Sequence, residues 1–161
     1  MLAKSQSVAL VGTDAHLVEV EIHIGTGVPS FTIVGLPAKS VREAEQRTRA
    51  ALVSSDEEWK AARLVANLAP GALRKEGTHF DLPLALGILS ARDRIEPARL
   101  TGWVAVGELA LDGAVRPVRG VLAAAIACRT AGLRGLMCPA DQRGRGRPGR
   151  RDRDSAGPDP A

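Results

Sequence analysis

The fold of this chain is decided by two stretches, KEGTHFDLPLA at residues 75–85 and GELALDGAVRPV at residues 107–118. In the first stretch, Asp81 precedes an apolar run and Pro83 stands where a first helical turn would lie. This pattern predicts a helix over residues 82–91 with Asp81 as its N-cap. Because that helix is apolar nearly all round, we expect it to be central and buried.

The second stretch predicts a β-hairpin. Asp112-Gly113 lies between two apolar runs, and both turn positions are expected to take a positive φ. The flanking strands are predicted over residues 104–109 and 114–118.

The N-terminal third has the pattern of a sheet. Residues 5–12 are apolar and β-branched, and residues 18–24 alternate apolar and polar side chains. With a further strand at residues 31–34, the pattern predicts an antiparallel meander. Ser40 and Glu43 then have the spacing of a capping box, which predicts a helix from Val41 to about Ser54.

The remaining elements complete an α+β pattern. We predict a short strand at residues 64–68, an Ala-rich helix from Gly120 to Ala131 that Gly132 terminates, and a last strand at residues 135–138. The predicted order is βββ-α-β-α-ββ-α-β. Strands come first and helices are interspersed, so we expect an α+β domain with a mixed sheet at residues 1–140.

Residues 141–161 form a segment of different composition. Six Arg and four Asp are mixed with Gly, Pro and Ser, and apolar periodicity is absent from the segment. Such a segment cannot offset its ordering entropy by burial, so we predict a disordered Arg/Gly/Pro-rich tail. The tail holds half of the net charge of +4, and the body is close to neutral.

Composition narrows the possible functions. Hydrophobic residues make up 45% of the chain and aromatic residues only 2%, so base-stacking platforms for single-stranded nucleic acid are not expected. The chain has neither a membrane-spanning apolar run nor an apolar leader at its N-terminus, which predicts a cytoplasmic protein.

Several short motifs together resemble the N-terminal domain of the magnesium-chelatase-like AAA+ ATPases, the YifB and ComM competence-type group. The resemblance covers about residues 5–140, and each motif alone is common, but their order and spacing are specific. The motifs are Val34-Gly-Leu-Pro37 before a helix with Glu43 and Arg49, Asn67-Leu-Ala-Pro70, Lys75-Glu-Gly77, Asp81-Leu-Pro83, Val106-Gly-Glu-Leu109 and Gly113.

The resemblance implies a ribosomal protein S5 domain 2-like fold, shared with the Lon protease domain, and a neighbouring AAA+ motor. It also implies hexameric subunits that process DNA in competence and branch migration. ATP and Mg²⁺ are expected only for the motor, because the phosphate-binding motif G-x-x-x-x-G-K-[ST] does not occur in this sequence. We therefore expect a non-catalytic domain, without catalytic, cofactor-binding or metal-binding residues of its own. Its expected partners are the AAA+ module and homologous subunits, with no membrane partner.

A Lon-like peptidase is the enzymatic alternative. Such an enzyme needs a Ser nucleophile and a Lys base. The resemblance places His79 at the Ser position and Leu122 at the Lys position, and neither side chain can take the required role. We instead expect His79 to form a hydrogen bond with Asp81 or a helix-cap contact. A separate set of polar residues on the first predicted helix is interpreted as a solvated helix face, with an intersubunit or nucleic-acid face as the alternative: Ser40, Arg42, Glu43 and Arg49.

The tail leaves two interpretations. The family pattern stops at Ala140, and a Gly/Arg/Pro/Asp-rich string is typical of a GC-rich gene read out of frame, which predicts a frameshifted or truncated product. The alternative is a stand-alone basic protein that binds nucleic-acid phosphates through its Arg-rich tail.

Overall fold

The computed structural model describes residues 1–142. Residues 143–161, which make up nearly all of the predicted tail, lie outside the described residues. Asp141 and Gln142 belong to a short 3₁₀ helix, Ala140–Gln142, in which Gln142 is buried. The Gln142 side-chain amide exchanges two hydrogen bonds with the backbone of Val118, at 3.0 and 2.8 Å.

The described chain contains eight strands and four α-helices, which confirms the α+β class. In chain order they are β1 Leu2–Val11, β2 Asp14–Gly25, β3 Ser30–Val34, α1 Ala38–Ser54, β4 Arg63–Ala69, α2 Asp81–Ala91, α3 Pro97–Leu100, β5 Trp103–Ala105, β6 Glu108–Leu109, β7 Val115–Arg116, α4 Val121–Thr130 and β8 Gly135–Met137. A 3₁₀ helix, Thr78–Phe80, leads directly into α2. No helix within residues 1–142 has the length and apolar composition needed to cross a bilayer.

Six strands form one mixed sheet in the order β3-β4-β2-β1-β5-β8. The predicted antiparallel meander is wrong at its third strand. β1 and β2 do pair antiparallel, but β4 lies between β2 and β3, and β3 pairs with β4 in parallel. The helix between β3 and β4 makes this parallel pairing possible, because parallel neighbours need a long crossover connection.

The predicted capping box is also wrong. Helix α1 begins at Ala38, and its N-cap is Pro37, which makes no side-chain cap bond. Ser40 therefore lies inside the first turn. The helix turns one face to the core, where Ala44, Thr48 and Leu52 are buried.

Helix α2 lies at the centre of the fold, as predicted from its apolar sequence. It packs against β1 and β2 and also contacts α1. Leu84 and Ile88 are fully buried. On the other side of the molecule, α4 packs against β2 and β8, and Val121 and Ala124 join Val8 in a second apolar cluster.

The predicted strand over residues 104–109 is two strands in two sheets. β5 belongs to the six-stranded sheet, whereas β6 pairs only with β7 in the described structure. The hairpin is confirmed, but its loop has three residues, since the Ala110 amide donates to the Ala114 carbonyl. Only Gly113 takes a positive φ there, at 93°. This is the three-residue hairpin loop in which a glycine follows a type I turn.

The end of α4 is as predicted. Gly132 has a φ of 67°, its amide donates to the Arg129 carbonyl, and the Leu133 amide donates to the Cys128 carbonyl. These two bonds are those of a Schellman motif. Gly120 is the N-cap of α4, with a φ of 82°.

Candidate functional site

The motif residues meet at one buried junction around Asp81. Both carboxylate oxygens of Asp81 accept hydrogen bonds from Arg47, at 2.6 Å from Nε and 3.2 Å from Nη2. The Leu109 amide donates to the same carboxylate at 3.1 Å. The Asp81 side chain is fully buried and that of Arg47 is 20% exposed. One carboxylate thus ties α1, α2 and β6 together.

The electrostatics of the pair follow from its burial. The hydrogen bond to Asp81 raises the pKa of Arg47, so the guanidinium stays charged. Burial raises the pKa of Asp81, while the hydrogen bonds from Arg47 and Leu109 act in the opposite direction. A bidentate Arg–carboxylate pair fixes both position and orientation. The predicted roles of Asp81, an N-cap and a partner of His79, are both wrong, because its carboxylate is bonded to other segments.

Backbone hydrogen bonds close the same junction. The Gly107 amide donates to the His79 carbonyl, and the Leu82 amide donates to the Gly107 carbonyl, both at 3.0 Å. A Cβ atom at Gly107 would lie 2.5 Å from the Val115 side chain. The Gly-Glu-Leu motif therefore works through its backbone, which pairs with the N-terminal end of α2.

Lys75 forms a second structural anchor beside the junction. Its side chain is 2% exposed, and its ammonium donates to the carbonyls of Pro70 and Leu73, at 2.5 and 2.6 Å. Burial lowers the pKa of Lys75. A Cβ atom at Gly35, where φ is 104°, would lie 2.8 Å from the Leu68 carbonyl oxygen and 3.0 Å from Lys75 Cε. Three of the motifs thus pack on one another.

A groove of about 710 Å³ lies beside these anchors. Its walls include Glu76, His79, Glu108, Arg119 and Gln142. This groove holds His79, the residue that the resemblance placed at a nucleophile position.

His79 is held by β1. Its Nε2 atom lies 2.6 Å from the Val8 carbonyl oxygen, so Nε2 must carry the proton and the neutral ring keeps Nδ1 unprotonated. Burial lowers the pKa of His79, although the bond to Val8 acts in the opposite direction. The Phe80 ring lies against it, with centroids 4.1 Å apart. The contacts of His79 are those of a packed core histidine.

The loop at residues 71–77 does not fit a nucleotide phosphate. Its only lysine, Lys75, is buried with its ammonium on two backbone carbonyls. Within residues 1–142, no three His, Cys, Asp or Glu side chains come together in a way that could hold a metal ion.

The outer face of α1 is charged, as the interpretation of a solvated face requires. Arg42 and Glu43 are exposed, and Glu43 lies 3.9 Å from Arg47 as an i,i+4 pair. The Arg49 guanidinium lies 5.5 Å from the centre of the Trp59 ring. Arg47 was not predicted as a site residue, because an arginine in the middle of a helix gives no sequence signal of a partner 34 residues away.

Comparison with known proteins shows which family this chain resembles. The family described as subunit ChlI of Mg-chelatase matches residues 20–142. The competence protein ComM of Haemophilus influenzae is 46% identical over 128 residues, which are 80% of this chain and 25% of ComM. The Escherichia coli protein YifB is 43% identical over 117 residues, which are 73% of this chain and 23% of YifB. An uncharacterised protein of Mycobacterium bovis is 41% identical over 140 residues, which are 87% of this chain and 28% of that protein.

The described residues form an α+β domain in which Asp81, Gly107 and Leu109 build an internal junction. The chain belongs to the family of the ChlI subunit of Mg-chelatase, and its relatives include ComM and YifB. It spans about a quarter of the length of the curated relatives it matches.

Proposed function

We propose that this chain is a non-catalytic domain of a magnesium-chelatase-like AAA+ ATPase, with an S5 domain 2-like fold. In this proposal the domain guides subunit assembly or engages the substrate, and a separate AAA+ module binds ATP and Mg²⁺. Its partners are that module and homologous subunits in a hexamer, and DNA is processed by the full-length protein. The mixed sheet with interspersed helices supports the proposed fold.

The observation that carries the proposal is the inward direction of the motif residues. Asp81, Lys75 and the Gly107–Leu109 backbone all bond to the domain itself. Residues whose polar atoms are satisfied internally stabilise a shape and leave little chemistry for a substrate. A domain of this kind acts through its surface, as an assembly or binding module does.

The groove supports the same proposal against the peptidase alternative. A Ser–Lys dyad needs a nucleophile whose oxygen is free to attack and a lysine amine close to it. At the corresponding positions this chain has His79, whose Nε2 is engaged by Val8, and Leu122, an aliphatic side chain.

The proposal is tested by exchanging domains with a relative. In a chimera, the matched segment of Haemophilus influenzae ComM is replaced by the corresponding segment of this chain. We expect the chimera to assemble and hydrolyse ATP like ComM, as measured by light scattering and phosphate release, whereas ComM without the segment loses at least one of the two.

A chimera with Asp81→Asn is the matched control, because this change weakens the junction without altering the surface. We expect its assembly and ATP hydrolysis to fall as the domain unfolds on warming. If the parent chimera performs no better than ComM without the segment, the domain does not supply assembly or engagement. Turnover of ATP by the purified 161-residue chain would refute the non-catalytic assignment.

A further inference from the structure

The outer face of α4 differs from that of α1. On α1 the exposed residues are mostly polar or charged, among them Lys39 and Arg42, and the one large exposed apolar side chain, Val53, stands alone near the end of the helix. On α4 the exposed residues of the first two turns are Leu122 and Ile126, which are 50% and 48% exposed. They are one helical turn apart, so they lie side by side on one face.

The apolar pair is surrounded by small and basic residues. Ala123 and Ala127 are half-buried beside it, and the exposed residues Arg119 and Arg129 flank it at the two ends of the helix. We call this surface, Leu122, Ile126, Ala123 and Ala127 with the two arginines, the α4 face. An apolar centre with a charged rim is the usual anatomy of a protein interface.

The α4 face lies close to the last of the described residues. Gln142 is bonded to Val118, three residues before α4 begins, so the described chain ends beside the first turn of this helix. β8 packs against α4 and is an edge strand of the described sheet. In the matched relatives, about three quarters of the sequence lies outside the part that this chain matches.

We propose that the α4 face is the docking surface for the AAA+ module of the full-length protein. This inference rests on the proposed function and names the surface through which the domain contacts its partner. The occupant has apolar side chains that cover Leu122 and Ile126, with carboxylates placed against Arg119 and Arg129. A module in the same polypeptide covers the α4 face at a lower entropic cost than a separate protein, because a tether raises the effective concentration of its partner.

The test is hydrogen exchange of α4 amides, followed by mass spectrometry, in the 161-residue chain and in the ComM chimera. We expect α4 amides to exchange about tenfold more slowly in the chimera, because docking suppresses local opening. Leu122→Lys and Ile126→Lys should each abolish this extra protection. Val34→Lys is the matched control, since Val34 is also 50% exposed but lies on β3, at the opposite edge of the sheet.

Folding is checked in the same samples. In the 161-residue chain, all three lysine variants should leave the exchange of β1 and β2 amides unchanged, which shows that any effect in the chimera comes from docking. Equal α4 exchange in the parent chain and parent chimera would overturn the proposal. So would a Leu122→Lys chimera that keeps the protection.

Failure of the docking surface and failure of the proposed function give different results. A chimera that assembles and hydrolyses ATP but shows unprotected α4 amides refutes only the docking surface. A chimera without either activity refutes the proposed function. If α4 protection in the 161-residue chain rises with concentration and light scattering shows a doubled mass, the α4 face binds a second copy, and the proposed occupant is wrong.

Discussion

Replacing Asp81 with Asn should destabilise this domain more than any exposed charge change. The side chain is fully buried and accepts hydrogen bonds from Arg47 and from the Leu109 amide. Asparagine keeps the shape and can still accept from Leu109. It cannot neutralise Arg47, so the guanidinium is left in a mostly buried place beside an amide group that also carries donors.

The magnitude follows from the burial of the pair. Removing one partner of a buried ion pair costs about 3–5 kcal/mol. The Arg47 side chain is 20% exposed, so water partly solvates the guanidinium that has lost its partner. We therefore expect a loss at the lower end of this range, about 3 kcal/mol. For a domain of this size each kcal/mol lowers the melting temperature by about 3 °C, so the expected shift is about 9 °C.

Urea unfolding followed by circular dichroism measures the difference. Glu57→Gln is the matched control, because the Glu57–Arg94 pair has a similar length, 3.1 Å, but the Arg94 side chain is 60% exposed. That control should cost less than about 1 kcal/mol. Arg47→Met combined with Asp81→Asn should cost less than the sum of the two single changes. An Asp81→Asn variant as stable as Glu57→Gln would show that the Asp81 pair does not hold the junction.

Three further predictions concern Lys75, the glycines at positions 113 and 132, and His79. Lys75→Met should cost about 2 kcal/mol in urea unfolding, because the Pro70 and Leu73 carbonyls lose their donor; no loss would mean that water replaces the ammonium. Gly113→Ala should lower the free energy of unfolding by about 1–3 kcal/mol more than Gly132→Ala does. Both glycines have a positive φ, but only at Gly113 would a Cβ atom meet another group, the Ser55 hydroxyl at 2.6 Å. Equal losses for the two variants would argue against this clash. Burial lowers the pKa of His79 below 6.5, so the unfolded chain binds the proton more readily than the folded chain. The free energy of unfolding should therefore fall as the pH drops below about 6.5, by at most about 1.4 kcal/mol per pH unit for this group. His79→Gln should flatten this dependence of stability on pH, and a variant with the same dependence as the parent would show that His79 is not its source.

Local sequence patterns predicted the elements well and their pairing poorly. The hairpin around Gly113 and the Schellman end of α4 at Gly132 depend on neighbouring residues, so the sequence reveals them. The place of β4 between β2 and β3 depends on contacts between residues far apart in the sequence, such as Val20 opposite Leu68, which are 48 residues apart. No periodicity within β3 distinguishes a parallel from an antiparallel neighbour.

The candidate site shows the same division. Asp81 before an apolar run has the local signal of an N-cap, and the helix does begin there. Its carboxylate instead bonds to Arg47 and to the Leu109 amide, which lie 34 and 28 residues away. A 3₁₀ helix directly before α2 supplies the first turn, so the carboxylate is available for the tertiary bond. A local sequence pattern therefore cannot show that the Asp81 carboxylate bonds to distant residues and does not cap the helix.

The junction also shows how two short motifs depend on each other. Gly-Glu-Leu and Asp-Leu-Pro are individually unremarkable, and each contributes one part of a bonded set. The Leu109 amide has no buried acceptor without Asp81, Asp81 has no counter-charge without Arg47, and Gly107 must lack a side chain for its backbone to reach His79 and Leu82. Losing any one part leaves a buried polar group unpaired, which costs about 1–3 kcal/mol. The spacing of Asp81, Gly107 and Leu109 along the chain is therefore tied to one hydrogen-bond network, which holds α1, α2 and β6 together.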